Sequence, residues 1–177
     1  MLPNLAGPQN TMKWLITGGC GFIGRNLIRH LLRGDEQHFV RVLDNLSVGT
    51  RVDLKRVGPS HEELSLGGDE IEGSLQDGVV QLLKGDVLDA DGVQKAATGI
   101  DLIVHLAANT GVAPSVEDPR HDCETNVIGT LRTCFASRCL AETQWAKLQN
   151  GAQKSPVVEL PGECRSHFAR DPRSRRP

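Results

Sequence analysis

The sequence contains no tyrosine at all, and aromatic residues make up only 3% of it. It also lacks any run near the roughly 18 to 20 consecutive apolar residues of a spanning helix, which argues against a membrane protein. Charge of either sign is not in excess. Twenty basic residues face 22 acidic ones, a formal net charge of −2, so no global field draws the chain toward nucleic acid. The five cysteines show neither C-x-x-C spacing nor grouping with histidine. A disulfide framework and a structural zinc site are therefore disfavoured, no metal ligands are assigned, and a reducing, cytoplasmic setting fits best. His30, His61, His121 and His167 lie in unrelated contexts and form no metal spacing. What is present, 38% hydrophobic and 24% charged residues over a length of 177, suits an ordered chain long enough to bury a core.

The first eleven residues carry two prolines, two asparagines and no hydrophobic period, and they lack the basic start and apolar run of a signal peptide. They read as a flexible extension. A strand-like run begins straight after Met12, so Met12 is a candidate natural start, and an ordinary loose terminus is an equal alternative. From Met12 to about Ala136 strand and helix patterns alternate. Leu15-Ile16-Thr17, Phe39-Val40-Arg41-Val42-Leu43 (closed by Asp44), Val79-Val80-Gln81-Leu82-Leu83 and 101–106 read as strands. Phe22, Ile23, Leu27, Ile28, Leu31 and Leu32 recur at helical spacing up to Gly34. Val93, Ala96 and Ala97 mark the inner face of a second helix, with Asp89 expected to cap it. Residues 58–78 break the rhythm with glycines and scattered acids and read as a solvated surface excursion. Alternating strands and helices imply parallel pairing through right-handed crossovers, with helices on both faces. The fold class is α/β.

The strongest chemical signal is Gly18-Gly19-Cys20-Gly21-Phe22-Ile23-Gly24, placed where the first strand turns into the first helix. Gly18 permits the tight turn, Gly21 admits a pyrophosphate against the backbone, and Gly24 lets the helix pack close on the strand. The helix N-terminus adds unpaired N–H donors and the positive end of its dipole. Asp44 ends the next strand twenty residues after Gly24, where an acid accepts hydrogen bonds from an adenosine ribose. The same carboxylate repels a 2′-phosphate, which favours NAD over NADP. Cys20 occupies a variable position of the turn and reads as a small space-filler. His105, at a strand end, reads as a hydrogen-bonded core histidine.

Thr17 to Gly24 and Leu43-Asp44-Asn45-Leu46-Ser47-Val48-Gly49 together resemble the extended short-chain dehydrogenase/reductases. Within these, the chain is most similar to the NAD-dependent sugar-nucleotide epimerases and dehydratases of the UDP-glucose 4-epimerase kind. Gly85-Asp86-Val87, His105-Leu106-Ala107-Ala108 and Asn126-Val127-Ile128-Gly129-Thr130 match in order, and the likeness covers Met12 to about Leu131. It implies a Rossmann-type doubly wound parallel sheet, here incomplete: the N-terminal half and part of the second. It further implies that Phe22 and Ile23 lie beneath the pyrophosphate and that Asp44, Asn45, Ser47 and Gly49 surround the adenosine ribose and adenine edge. By the same resemblance Asp86 accepts from the adenine amino group beside the Val87 backbone. Leu106, Ala107 and Ala108 then run toward the nicotinamide, and Asn126 anchors the long helix lining the active site, a helix expected to begin near it.

The resemblance also implies a proton-transferring Tyr-x-x-x-Lys pair assisted by a serine or threonine, and a chain without tyrosine does not carry it. No catalytic residue is assigned: Lys147 and Lys154 have no supporting tyrosine, and Pro156-Val157-Val158-Glu159-Leu160 ends without a hydroxyl pair. A nucleotide sugar is expected as partner only if the missing half is supplied. Self-association or poor solubility is expected from an open sheet edge. Beyond about residue 136 the pattern loses its apolar stripe, and the last seventeen residues hold five arginines. Three accounts of 137–177 stand in order: a shifted reading frame or gene boundary, a genuine divergent end, and a nucleic-acid tail, for which no interleaved aromatics speak. A non-catalytic NAD(H)-binding or regulatory protein is the alternative reading of the whole.

Overall fold

A computed structural model of the chain describes residues 11–34, 38–58, 60–66 and 79–138. All of them lie within one compact unit, Met1–Ala141. The readings of 1–10, 67–78 and 139–177 fall outside the described residues. Five strands, β1 (Lys13–Thr17), β2 (Phe39–Asp44), β3 (Ser60–Leu64), β4 (Val79–Lys84) and β5 (Leu102–His105), form one sheet in the order β3-β4-β2-β1-β5. Every pairing in it is parallel. Helices α1 (Phe22–Leu31), α2 (Arg51–Lys55) and α3 (Ala90–Ala97) lie between strands. After β5 come α4 (Val112–Glu117), α5 (Pro119–Cys123), a π turn over Glu124–Ile128 and a helical stretch at 129–138.

Strand residues alternate between two apolar cores, as a parallel sheet covered on both faces requires. Leu15, Leu43 and Leu83 pack with Val93, Ala96 and Ala97 of α3 and with Ala136 of the final helix. Ile16, Val40, Val42, Val80 and Leu82 pack with Ile28 and Leu31 of α1 and Leu54 of α2. Arg41 and Gln81 are buried as well. The Arg41 guanidinium donates to Gln81 Oε1 (3.2 Å) and to the Ala96 and Thr98 carbonyls (2.9 Å each). A β2 side chain thereby closes the carbonyl end of α3, where orphan acceptors need a donor. Burial pushes the Arg41 guanidinium down from its ordinary value.

Four differences from the sequence expectations stand out. Residues 60–64 are an edge strand paired to β4, not part of a loop; Ser-His-Glu-Glu-Leu has no apolar alternation because the backbone ladder, Leu64 on the core and the Arg51–Glu63 ion pair hold it, and its acids suit an exposed edge. Asp89 occupies the N-cap of α3, but its side chain makes no capping hydrogen bond. Helix α1 stops at Leu31 with Leu32 as its C-cap, short of Gly34. The helix holding Asn126 starts earlier, at Pro119, where the Asp118 carboxylate accepts from His121 N and proline sits at the first helical position.

Order and connectivity place the site. The chain winds outward from β1 to β2 and β4, then returns past β1 to lay down β5 on its other side. A crevice opens at such a reversal, beyond the carboxyl ends of β1 and β5.

Candidate functional site

The glycine turn leaves β1 at this reversal. Gly18 has φ +68°, and a Cβ on it would meet the Ala107 nitrogen at 2.7 Å. The turn after β1 and the chain after β5 therefore touch backbone to backbone. A Cβ on Gly19 would strike Val42 at 2.7 Å, and one on Gly24 would strike the Gly19 Cα at 2.6 Å. Both glycines are needed for close packing, on β2 and on the turn. Gly21 differs: its only near neighbour is the Gly18 oxygen at 3.2 Å, so its free side stays open. It is the N-cap of α1, and no side chain caps the helix. Phe22 and Ile23 follow at 77% and 66% exposure. They belong to the helical period without belonging to the core.

Asp44 joins this turn to the loop after β2. It is 8% exposed; its Oδ2 accepts from Cys20 N at 2.9 Å and its Oδ1 from Leu46 N at 2.8 Å. With the Cys20 and Leu46 amides and the Cys20 thiol on the carboxylate, its remaining lone-pair capacity is free for a further donor. Leu46 is held at φ 62°, a left-handed conformation that a branched side chain adopts at a cost of about 1–2 kcal/mol. A Cβ on Gly49 would collide with the Cys20 carbonyl, so the 45–49 loop lies directly on the glycine turn. The Cys20 thiol is pushed up to about 12, first by burial and then by the Asp44 charge. It stays protonated and fills space.

The adenine-side residues also come together. Asn45 Nδ2 donates to Asp86 Oδ2 at 3.0 Å, Asn45 Oδ1 accepts from Ser47 N, and Asp86 Oδ1 accepts from Leu88 N. Val87 is buried in the core beneath. Across the crevice Leu106 and Ala107 are half-buried and Ala108 is exposed. Asn126 fastens this segment to the π turn: its Oδ1 accepts from Asn109 N at 2.8 Å and its Nδ2 donates to Asn109 O at 3.1 Å.

Several participants escaped the sequence reading. Thr17, fully buried, accepts from Leu106 N (3.1 Å) and Ala107 N (3.3 Å). Asp122 Oδ1 accepts from the Asn109 and Asn126 amides, with Ser115 Oγ 3.2 Å away and also 2.6 Å from the Gly111 carbonyl. Thr17 heads the string that carries the family resemblance, without a role being assigned to its hydroxyl; Asp122 and Ser115 have no local signal. Among the described residues no group of three His, Cys, Asp or Glu side chains could hold a metal ion, and no helix is long and apolar enough to cross a membrane.

An uncapped helix N-terminus behind an open glycine, with a buried acid at the end of the neighbouring strand, suits a dinucleotide. Comparison with known proteins agrees. Residues 14–150 match the model of the NAD dependent epimerase/dehydratase family. The chain belongs to that family. It is 35% identical over 133 residues to a UDP-glucose 4-epimerase of Mycolicibacterium smegmatis, covering 72% of this chain and 35% of that one. It is 32% identical over 127 residues to a dTDP-glucose 4,6-dehydratase of Mycobacterium tuberculosis, covering 72% and 33%. Among solved structures it resembles the Thermus thermophilus UDP-glucose 4-epimerase in complex with NAD, with a TM-score of 0.53, 32% identity and coverage of 72% and 34%. The chain thus spans about a third of the length of the curated relatives it matches, and its sheet is the Rossmann-type α/β sheet of the family.

Proposed function

We propose that residues 12–136 form the NAD-binding region of a sugar-nucleotide epimerase or dehydratase, most like UDP-glucose 4-epimerase, and that residues 137–177 are a divergent or irregular C-terminal segment, into which the family match reaches as far as residue 150. One observation carries the reading: the Asp44 carboxylate is bonded to the backbone of the glycine turn, so the ribose acceptor and the phosphate cradle form one unit. Gly18, Gly21 and Gly24 would shape the pyrophosphate cradle, with Phe22 and Ile23 beneath it. Asp44 would take the ribose hydroxyls, with Asn45, Ser47 and Gly49 around them. Asp86 and the Val87 backbone would meet the adenine edge. Leu106, Ala107 and Ala108 would flank the nicotinamide half, and Asn126 would hold their loop to the helix. When bound, NAD supplies the hydride acceptor.

What this chain does not supply is the tyrosine that the resemblance implies as base for the sugar hydroxyl, since its 177 residues include none. General acid–base help is worth about 10²–10⁴-fold in rate, and substrate positioning up to about 7–11 kcal/mol of barrier. The protein therefore binds NAD without turning over a nucleotide sugar unless the missing half is provided. The same absence supports a second reading, a non-catalytic NAD(H)-binding or regulatory protein. Titrating the chain calorimetrically with NAD, then incubating it with NAD and UDP-glucose or UDP-galactose, tests both; binding without conversion is expected. Conversion that is abolished by Gly21→Arg would overturn the account. Translating the encoding DNA beyond codon 133 in all three frames separates the two readings. A frame carrying Tyr-x-x-x-Lys favours the enzyme portion, and none favours the binder.

A further inference from the structure

His105 ends β5 at the seam with β1, and its ring is enclosed by hydroxyls. Thr17 Oγ1 lies 2.7 Å from Nδ1, Thr130 Oγ1 3.1 Å from Nε2 and Thr133 Oγ1 3.3 Å from Nδ1. The partners fix the tautomer, because each hydroxyl has a single proton. Thr130 donates its proton to the Asn126 carbonyl (2.6 Å) and Thr133 donates to the Gly129 carbonyl (3.0 Å). Nε2–H must therefore donate to Thr130, and bare Nδ1 accepts from Thr17. The Thr17 oxygen has two lone pairs, and both are occupied, by Leu106 N–H and Ala107 N–H.

That occupancy has a direct consequence. A proton on Nδ1 would aim a third donor at an oxygen with no lone pair left. Either the imidazolium turns from Thr17 toward Thr133 Oγ1, whose proton is already given to the Gly129 carbonyl, or it displaces one of the two backbone N–H groups; in both cases Thr17 loses Nδ1 as the acceptor of its own proton. Leu106 N has a second acceptor in the Thr17 carbonyl at 3.1 Å, so its bond to Thr17 Oγ1 is the one that yields, and the hydroxyl then holds the segment through Ala107 N alone. Ala107 is the residue whose backbone rests on Gly18.

We propose that His105 is a positioning residue of the cofactor crevice: its neutral imidazole, through the Thr17 hydroxyl, holds the Leu106–Ala107 backbone against the glycine turn, so that protonation of the ring weakens dinucleotide binding. This rests on the NAD reading above. Burial already lowers the ring's affinity for a proton, in keeping with a site built for the neutral form. The groups facing the ring are Thr17 from β1 and Thr130 and Thr133 from the final helix. Arg132 lies on that helix between the two threonines with its Nε buried. The nearest carboxylate in the network, Asp122, reaches the ring only through Asn126 and Thr130. Asp44 and Asp86 are the other acids of the crevice, so the test must separate them from His105.

The experiment is calorimetric titration of the whole chain with NAD at about pH 7.5 and about pH 5, for wild type and His105→Gln. A glutamine amide can accept from Thr17 and donate to Thr130 without ever taking a proton. Wild type should lose about fivefold or more in affinity at the lower pH, the scale of an ordinary coupling, while the affinity of His105→Gln, at whatever level it starts, stays flat between the two. By linkage the same coupling is visible in wild type alone. Saturation with NAD should lower the imidazole pKa read by ¹⁵N NMR, about one unit for each tenfold in affinity, and this arm decides the matter if the glutamine variant does not fold. An equal loss in both proteins, a wild-type affinity independent of pH, or an imidazole titration unmoved by NAD would overturn the proposal while leaving the cofactor reading intact. A wild type that binds no NAD at either pH would overturn both.

Discussion

Replacing Gly18 by alanine should cost far more than the same change at Gly99, although both glycines have a positive φ. Gly18 has φ +68° and Gly99 φ +73°, so each substitution forces an L-residue into the left-handed region at about 1–2 kcal/mol. The surroundings differ. A Cβ at Gly99 meets nothing within 4 Å, whereas at Gly18 it lies 2.7–2.8 Å from Ala107 N, Ala107 Cα and the Leu106 carbonyl carbon. Those are backbone atoms, held by Thr17, with no side-chain end to swing aside. Overpacking of this kind adds about 1–3 kcal/mol, so Gly18→Ala should lose about 2–5 kcal/mol and Gly99→Ala about 1–2. Against a typical domain stability of about 5–15 kcal/mol, the first is severe and the second tolerable. Urea unfolding followed by circular dichroism measures both. Equal losses at the two positions would refute the claim that the β1 turn and the chain after β5 are locked backbone to backbone.

Gly21→Ala should separate stability from binding. With one neighbour at 3.2 Å, the variant should unfold within about 1 kcal/mol of wild type, yet its NAD affinity by calorimetry should fall at least tenfold. Arg41→Ala should cost about 2–6 kcal/mol in the same urea assay, because it strips the donor from the Ala96 and Thr98 carbonyls at about 1–3 kcal/mol for each buried group left unpaired. Stability should also fall with acid through His105. Burial lowers its folded value, so its contribution is complete above the ordinary histidine value near 6.5 and is lost as pH drops through the lowered one. Urea midpoints of wild type and His105→Gln, compared from about pH 7.5 to about pH 5, should diverge at the acid end.

How much of this was legible in the sequence depended on whether its cause was local. β1, β2, β4 and β5 could be read because strands covered on both faces carry continuous apolar runs. β3 could not, since a backbone ladder to β4 holds Ser60–Leu64 and leaves no apolar period. The glycine turn and Asp44 were visible as a spacing. Their bond, Cys20 N to Asp44 Oδ2, follows once the two strands are neighbours. Thr17 and His105, 88 residues apart, meet only because the chain reverses past β1, and neither residue announces the other. The helix start at Pro119 was in fact signalled, by the Asp-Pro pair at 118–119. It was overshadowed by Asn126, whose π turn is a local distortion that hydrophobic period does not encode.

The central claim is that Asp44 selects NAD, and titration of the whole chain with NAD and NADP, for wild type and Asp44→Ala, tests it most directly. A 2′-phosphate would be set against a carboxylate that is only 8% exposed, and a buried group repelled or left unpaired costs about 1–3 kcal/mol. Wild type should therefore bind NAD about 5-fold to 150-fold more tightly than NADP, and Asp44→Ala should weaken NAD and close most of that gap. Equal affinity of the wild type for the two cofactors would contradict the account.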